Sequence, residues 1–347
     1  MIKKIKVGIL GCTGAVGQKL VSLLGDHPFF EITELAASEK SAGNKYADRC
    51  SWRESNLMPE KVKNIIIKSC HEDLDAKILF SGLDASVAGE IESFYASKGY
   101  AVVSNSKNHR MDQNVPLVIP EINSAHCELL KQQESYSKNG GFIVTNPNCS
   151  TIVLAVAMYP IFKNFGLKKI ICTTMQAISG AGYPGVPSMD IMGNVVPYIS
   201  GEEAKMESEM YKIFGAMGNS QIDPASFKMS ASCNRVPVRD GHTVSASFET
   251  ETKASKEEII EALKNTYPDL GLNFSPDYVL VYNEDPARPQ PLLDVNRGHG
   301  MTVTVGRVRE CGVLDWKLTA FGHNTIRGAA GAAILNAEYL VKGGFIK

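Results

Sequence analysis

The sequence has no C-x-x-C pair. Its eight cysteines, Cys12, Cys50, Cys70, Cys127, Cys149, Cys172, Cys233 and Cys311, are scattered, and none has a cluster of histidines nearby. Neither a zinc site nor a disulfide framework is implied. No apolar run approaches the roughly 20 residues that span a bilayer as a helix, which argues against a membrane partner. The formal net charge is −1, with 36 basic and 37 acidic residues mixed along the chain. There is thus no basic stripe of the kind that neutralising a phosphate backbone requires, and nucleic acid is excluded as a partner. Repeats and low-complexity segments are absent as well. The start, MIKKIKVGIL, enters a glycine motif without a small-residue cleavage site and reads as a first strand. With no secretion signal the thiols are expected to be reduced and the protein cytoplasmic.

At 347 residues the chain exceeds the roughly 250 to 300 residues at which single cores stop growing, so two domains are expected. Lys6 to Leu10 is a β-branched run before Gly11, and Val16, Leu20 and Leu23–Leu24 follow at helical spacing. Strand-like runs recur at 31–37, 64–68, 77–82, 100–104 and 142–145, with a helical pattern between Val87 and Ala96. Such alternation predicts an α/β fold with a Rossmann-like, doubly wound parallel sheet. After Cys149 the texture changes to a helix through Phe165, a strand over 169–177 and a Gly/Pro-rich segment from Gly180 to Gly201 that has no regular period. A loop of that length in a compact protein is usually functional. The remaining strand-like segments, MSASCNRVPV, HTVSASFETET, GMTVTVGRVRE and VLDWKLTAF, are joined by few helical patterns besides 255–265. They predict an α+β second domain with a mostly antiparallel sheet. The segment NTIRGAAGAAILNAEYLVKGG reads as a small-residue helix opening on Asn324. The expected division is a nucleotide-binding domain over 1–148, completed by the C-terminal helix 324–347, and a catalytic and dimerisation domain over 149–323.

Gly11, Gly14 and Gly17 form G-x-x-G-x-x-G between the predicted strand and helix, where backbone amides cradle a pyrophosphate. Glycine triplets also serve as plain turns; the strand-before, helix-after context favours a dinucleotide. Where a NAD site usually places an acidic residue at the end of its second strand, this chain has Ser38, Lys40 and Ser41, groups suited to a 2′-phosphate and hence to NADP. Glu39 is the opposing signal, since a carboxylate turned toward the site would repel phosphate.

Cys149 follows Asn146-Pro147-Asn148 and opens an apolar helix. Unsatisfied amides and the helix dipole there would favour a thiolate and a developing oxyanion. A buried structural thiol fits the same local sequence, so a base is needed to decide. His242 lies on a strand-like segment after an Asp-Gly turn. His27, His71 and His126 fall in stretches that suggest surface positions, and His299 and His323, each beside glycine, are weaker competitors.

The segments GCTGAVGQKL, NPNCST, SGAGYPGVPSMDIMGNVVPYISGEEAKME, NRVPVRDGHT and GHNTIRGAAGAAILNAE occur in one order over nearly the whole chain. In this they resemble the aspartate-β-semialdehyde dehydrogenases of the archaeal and fungal-type branch. The resemblance implies NADPH-dependent reductive dephosphorylation of L-β-aspartyl phosphate through a cysteine thioester, on the route to lysine, threonine and methionine. It makes Cys149 the nucleophile, His242 the acid/base and Gln176 the residue that positions the thioester. It assigns Arg235 to the substrate carboxylate and Glu202 to its ammonium, with Lys205, Arg110 and Asn148 at the phosphate. Without the resemblance, Glu202 and Lys205 would read as an exposed i, i+3 ion pair. For the cofactor it implies Gly11, Thr13, Gly14, Ala15 and Val16 at the pyrophosphate, and Ser38 and Ser41 at the 2′-phosphate. Ser81 and Leu83 would lie near a ribose, Gly180 and Asn324 near the nicotinamide half. No metal is required, and a homodimer or homotetramer is implied. A histidine titrating near neutrality would make activity fall in acid, where the thiolate is lost and His242 is held protonated. Three rivals remain. A malonyl-CoA reductase substrate has no ammonium for Glu202, an N-acetylglutamyl-phosphate reductase substrate has an uncharged nitrogen, and in a silent NADP-binding protein Cys149 and His242 would be structural.

Overall fold

The computed structural model describes residues 4–346. Its first sheet is six-stranded in the order β3-β2-β1-β4-β5-β6. The strands are β1 (Ile5–Leu10), β2 (Phe30–Ala37), β3 (Lys68–Ser69), β4 (Ile78–Ser81), β5 (Ala101–Ser104) and β6 (Phe142–Thr145). All its pairings are parallel. Strands β4, β5 and β6 are buried at every position, which is why they read as short continuous apolar runs rather than alternating ones. Helices α1 (Ala15–Leu24) and α2 (Ala85–Ser97) connect them. The run at 64–68 departs from expectation: Ile66 makes only an isolated bridge to Lys45, and the paired strand is Lys68–Ser69. The consecutive Ile65, Ile66 and Ile67 are held instead by the 43–46 segment, with Gly43 N–H donating to Ile67 C=O, Ile67 N–H to Asn44 C=O and Tyr46 N–H to Ile65 C=O.

The 17-residue helix α3 (Cys149–Phe165) has an almost continuously buried apolar run from Ile152 to Ile161. It packs beneath a second six-stranded sheet made of β7 (Lys169–Gln176), β8 (Lys228–Arg235), β9 (His242–Glu249), β10 (Leu280–Asn283), β11 (Val303–Glu310) and β12 (Trp316–Gly322), in the order β8-β7-β9-β12-β11-β10. The two outer pairs are parallel and the three inner ones antiparallel, so the sheet is mixed with an antiparallel centre. Strand β7 alternates exposed and buried along its whole length, because one face lies on the core and the other is free. Helix α4 (Glu202–Ile213) has no counterpart in the periodicity reading, since its exposed and buried charges obscure the apolar stripe. By contrast α5 (Lys256–Asn265) is announced by a capping box between Ser255 and Glu258.

The C-terminal segment does not open as a helix at Asn324. It first makes a wide turn, with Gly328 N–H bonded to His323 C=O and Ala330 N–H to Thr325 C=O. Helix α6 (Gly331–Lys342) then places Ala333, Ile334, Ala337 and Leu340 in the core of the first sheet. His27 and His126, expected at the surface, are 3 % exposed. His27 is held by Glu338 on α6 and stacks on Phe30; His126 bonds Asn123 and the Gly215 carbonyl.

Gly17 sits where α1 crosses the end of β1: a β-carbon there would lie 2.2 Å from the Gly11 carbonyl oxygen and 2.7 Å from Cys12 Cα. Both are backbone atoms that cannot turn aside. Gly17→Ala is therefore expected to destabilise by about 1–3 kcal/mol despite the better helix propensity of alanine. Gly14→Ala, which meets only the Gly11 oxygen at 3.4 Å, is expected to shift the denaturation midpoint little. Urea unfolding of the two variants checks this; equal midpoints would refute it.

Candidate active site

Register brings the candidate side chains to one edge of the second sheet. Parallel pairing places Arg235, the last residue of β8, beside Gln176, the last residue of β7. Antiparallel pairing starts β9 at the same level, with His242 opposite Gly322 and Thr243 opposite Met175. The start of α3 points at this edge. Its N-cap, Asn148, accepts hydrogen bonds from the Ser150 and Thr151 amides through Oδ1. As the first helical residue, Cys149 has an N–H without an intrahelical acceptor. Gly328 packs so closely that a β-carbon there would lie 2.7 Å from Cys149 Cβ.

Cys149 Sγ lies 3.1 Å from His242 Nε2, and His242 Nδ1 accepts the Ala177 N–H at 3.0 Å. A backbone N–H can only donate, so Nδ1 carries no proton and the neutral ring holds its hydrogen on Nε2, facing the sulfur. Protonating Nδ1 would set two donors against each other. Burial, with the nearby Arg235 charge, pushes the imidazole down to about 3. Burial and the Glu202 carboxylate push the Cys149 thiol up to about 12, against the opposing pull of Arg110 and Arg235. The resting pair is thus a thiol beside a neutral imidazole. The expectation that His242 titrates near neutrality and is held protonated in mild acid is corrected accordingly: the ring is fully buried, it lies near the Arg235 charge, and its Nδ1 already faces the Ala177 N–H, a donor that opposes imidazolium.

Gly180 lies over this pair, where a β-carbon would be 2.9 Å from Arg235 Nη1 and 3.1 Å from His242 Cε1. Arg235 is anchored by one nitrogen to the Ala177 carbonyl at 2.7 Å. Gln176 is 1 % exposed, and its Nε2 approaches Thr174 Oγ1 and Glu202 Oε2 at 3.3 and 3.4 Å. Glu202 is the hub. It takes Lys205 Nζ on one oxygen at 2.7 Å and Asn148 Nδ2 on the other at 2.8 Å. Burial would raise its carboxyl, but the Lys205 hydrogen bond and charge, with Asn148 and Gln176, outweigh it and hold it below the usual range. The i, i+3 pair with Lys205 is therefore real, yet its acidic partner is buried and faces the site.

Arg110 is 7 % exposed and bonds Glu209 Oε1 at 2.9 Å and the Asn105 carbonyl at 2.8 Å. Glu209 Oε2 also accepts the Asn148 N–H at 2.6 Å. One turn further, the buried Lys212 ammonium donates to the carbonyls of Arg110, Asp112 and Val115 at 2.7–2.8 Å. Glu209 and Lys212 were missed in the sequence. Their signal was present, since Glu202, Lys205, Glu209 and Lys212 recur at the spacing of one helical face.

At the other end of the site Gly11 has φ +74° and a β-carbon there would meet the Gly82 carbonyl oxygen at 2.8 Å. The α1 N-cap, Gly14, offers no side-chain cap, so the first-turn amides after Thr13, at Ala15 and Val16, are open to an anion. These features fit a pyrophosphate. Glu39 is turned onto Ser69 Oγ. At the end of β2 this leaves the exposed Ser38 and Lys40, with Arg49 bonded to the Lys40 carbonyl. Ser41 is 6 % exposed and its amide bonds the Ser38 carbonyl. Ser81 does not present its hydroxyl: it is fully buried and donates to Glu92 at 2.6 Å, because a strand residue facing α2 needs an internal partner. Leu83, just beyond it, is partly exposed. Asn324 accepts the Gly241 N–H at 2.7 Å and donates to Ser179 Oγ at 2.8 Å, tying the C-terminal turn to the loop over His242. A cavity of about 620 Å3 opens between α1 and this loop, lined by Ala15, Gln18, Ser179, Tyr183, His323 and Thr325 among others. Arg53 stacks 3.3 Å over the Tyr183 ring at its mouth.

Two family models match the chain: "Semialdehyde dehydrogenase, NAD binding domain" over residues 6–130 and "Semialdehyde dehydrogenase, dimerisation domain" over residues 158–327. The aspartate-semialdehyde dehydrogenase of Archaeoglobus fulgidus is 46 % identical over 340 residues, covering 98 % of each chain. That of Saccharomyces cerevisiae is 43 % identical, again covering 98 % of each. A crystal structure of the Candida albicans aspartate-semialdehyde dehydrogenase with NADP superposes with a TM-score of 0.91 at 42 % identity, covering 99 % of this chain and 100 % of that one.

Two consequences of the electrostatics can be measured on the resting protein with iodoacetamide and mass spectrometry at Cys149. Alkylation is expected to rise about tenfold per pH unit from pH 6 to 9 without a plateau, because the thiol is protonated throughout and His242 is already neutral. A rate levelling off above pH 6 would indicate a thiolate–imidazolium pair instead. Glu202→Gln removes the carboxylate that disfavours the thiolate and is expected to speed alkylation at pH 7 by about three- to tenfold; an unchanged or slower rate would count against it.

Proposed function

Because the chain belongs to the aspartate-semialdehyde dehydrogenase family, we propose that it converts L-β-aspartyl phosphate and NADPH to L-aspartate 4-semialdehyde and phosphate, in lysine, threonine and methionine biosynthesis. The observation that carries this reading is the Cys149 sulfur at the open amide end of α3, 3.1 Å from the imidazole Nε2 and under the charges of Arg235, Arg110 and Glu202. A thiol alone fits many roles. A thiol that shares one pocket with a guanidinium and a carboxylate matches a substrate carrying both an α-carboxylate and an α-ammonium.

In the proposed sequence Arg235 grips the carboxylate and Glu202 pairs with the ammonium. Pairing neutralises the Glu202 charge that opposes ionisation of Cys149, so binding itself favours the thiolate. The sulfur adds to the acyl carbon as its proton passes to the substrate's phosphoryl oxygens, the oxyanion is received by the Cys149 N–H, and the carbon–oxygen bond breaks with its electron pair and that proton leaving as hydrogen phosphate. Arg110, Lys205 and Asn148 receive the phosphate, and a Cys149 thioester remains, positioned by Gln176. When bound, NADPH supplies the hydride that reduces the thioester carbonyl; Gly11, Thr13, Gly14, Ala15 and Val16 would hold its pyrophosphate, Ser38 and Ser41 its 2′-phosphate, and Gly180 and Asn324 its nicotinamide half. The carbon–sulfur bond then breaks, and the His242 Nε2–H donates a hydrogen bond to the returning thiolate, so that the neutral imidazole acts as a donor. The segregation of the two sheets into separate hydrophobic clusters supports a division into a nucleotide domain over 1–148 with 324–347 and a catalytic domain over 149–323, with Leu117, Ile119 and Ala332 crossing to pack in the catalytic cluster. Exposed Ile171 and Met175 on the free face of β7, with Met189, Met192 and Tyr198 in the following loop, support a homodimer through this face.

The test follows NADPH absorbance in the reverse direction with aspartate semialdehyde, phosphate and NADP. Phosphate-dependent NADPH formation is expected, and Cys149→Ala is expected to lower it by on the order of 10⁴-fold. Absence of phosphate dependence, or CoA replacing phosphate, would overturn the reading, the latter in favour of an acyl-CoA reductase.

A further inference from the structure

Glu209 has no part in the chemistry described, yet it holds two of the donors assigned to the departing phosphate. Its carboxylate is 2 % exposed and bridges Arg110 Nη1 at 2.9 Å and the Asn148 N–H at 2.6 Å. The bridge has the form in which a phosphate would be received: one oxygen on a guanidinium and the other on an amide at a helix start. Arg110 Nε is buried and unpartnered, so the guanidinium retains a free donor even with Glu209 in place. The guanidinium is also not free to leave. Its backbone is pinned by Lys212 through the Arg110, Asp112 and Val115 carbonyls, and Nη2 is tied to the Asn105 carbonyl.

We propose that Glu209 is a built-in occupant of the phosphate position, a carboxylate that satisfies Arg110 and the Asn148 amide when the site is empty and competes with phosphate for both. The proposal rests on the reading of Arg110 and Asn148 as phosphate receivers. An unfilled site would otherwise hold an unpaired buried guanidinium, which is strongly destabilising. Once phosphate has been expelled from the acyl carbon, a nearby buried carboxylate repels it and reclaims its donors, which promotes release. Glu209 is thus a positioning residue that sets how tightly phosphate is held. A purely structural role, in which Glu209 merely orients Arg110 for phosphate, predicts the opposite sign, because its loss would then weaken phosphate binding.

Calorimetric titration of inorganic phosphate into the full-length protein reads that sign without turnover. Glu209→Gln is expected to bind phosphate about tenfold more tightly than wild type. Its thermal midpoint should be lower without phosphate and rise more steeply as phosphate is added. In the coupled assay its KM for phosphate should fall while that for the semialdehyde holds. Should the glutamine variant not fold, Glu209→Asp, whose shorter side chain cannot span both donors, carries the test with a smaller gain in affinity. Unchanged or weaker phosphate binding in the folded variant overturns the proposal. Wild-type NADP reduction run alongside separates the two readings: if it does not depend on phosphate, the proposed reaction fails, whereas the titration still judges Glu209.

Discussion

The site depends on the way Asn148 is held. Its Oδ1 caps two amides of α3, its Nδ2 binds Glu202, its own N–H binds Glu209 and its carbonyl accepts the Ile152 N–H. Aspartate or serine would serve as the cap alone, but neither carries a side-chain N–H for Glu202. The asparagine therefore joins the start of α3 to the polar face of α4, and so fixes where Cys149 stands. The anchor behind it is hydrophobic, since the buried run of α3 leaves that helix no alternative seat in the core.

Around that joint the charges are paired with one another. Glu202 and Glu209 lie on one face of α4 and are met by Lys205 and Arg110, with Lys212 holding the loop that carries Arg110. In a medium of low dielectric each of these charges acts strongly on its neighbours. The thiol is disfavoured as an anion by burial and Glu202 and favoured by Arg110 and Arg235. A substrate bearing an ammonium, a carboxylate and a phosphate would change each of those influences at once. The imidazole feels the same Arg235 and Glu202 charges, while the Ala177 amide determines which nitrogen holds its proton.

Much of this was legible from residue patterns. The continuous apolar strands, the glycine turn, the extent of α3 and the Ser255 capping box are local features, each set by sterics or by hydrogen bonds within a few residues. Other features were not legible, for reasons that are equally physical. The 64–68 run had strand composition, but most of it is bonded to the 43–46 segment rather than into the sheet. His27 and His126 sit in polar stretches yet are buried, because distant carboxylate and carbonyl groups receive them. Ser81 looked available and is committed to Glu92. Helix α4 was legible only through the i, i+3 spacing of Glu202 and Lys205, because its inward face is charged and an apolar-periodicity reading passes over a helix that buries ion pairs.

By itself the sequence determined the family, the two kinds of sheet and the identity of the thiol, histidine, arginine and carboxylate that face one another. Those depend on composition and order, which folding does not alter. Tertiary structure alone decided that the histidine is an Nε2–H donor, that the thiol rests protonated and that Glu209 bridges Arg110 and the Asn148 amide. Protonation and ion pairing depend on which groups are brought within hydrogen-bond distance and how much water is excluded between them. Those distances are set by strands and helices far apart in the chain.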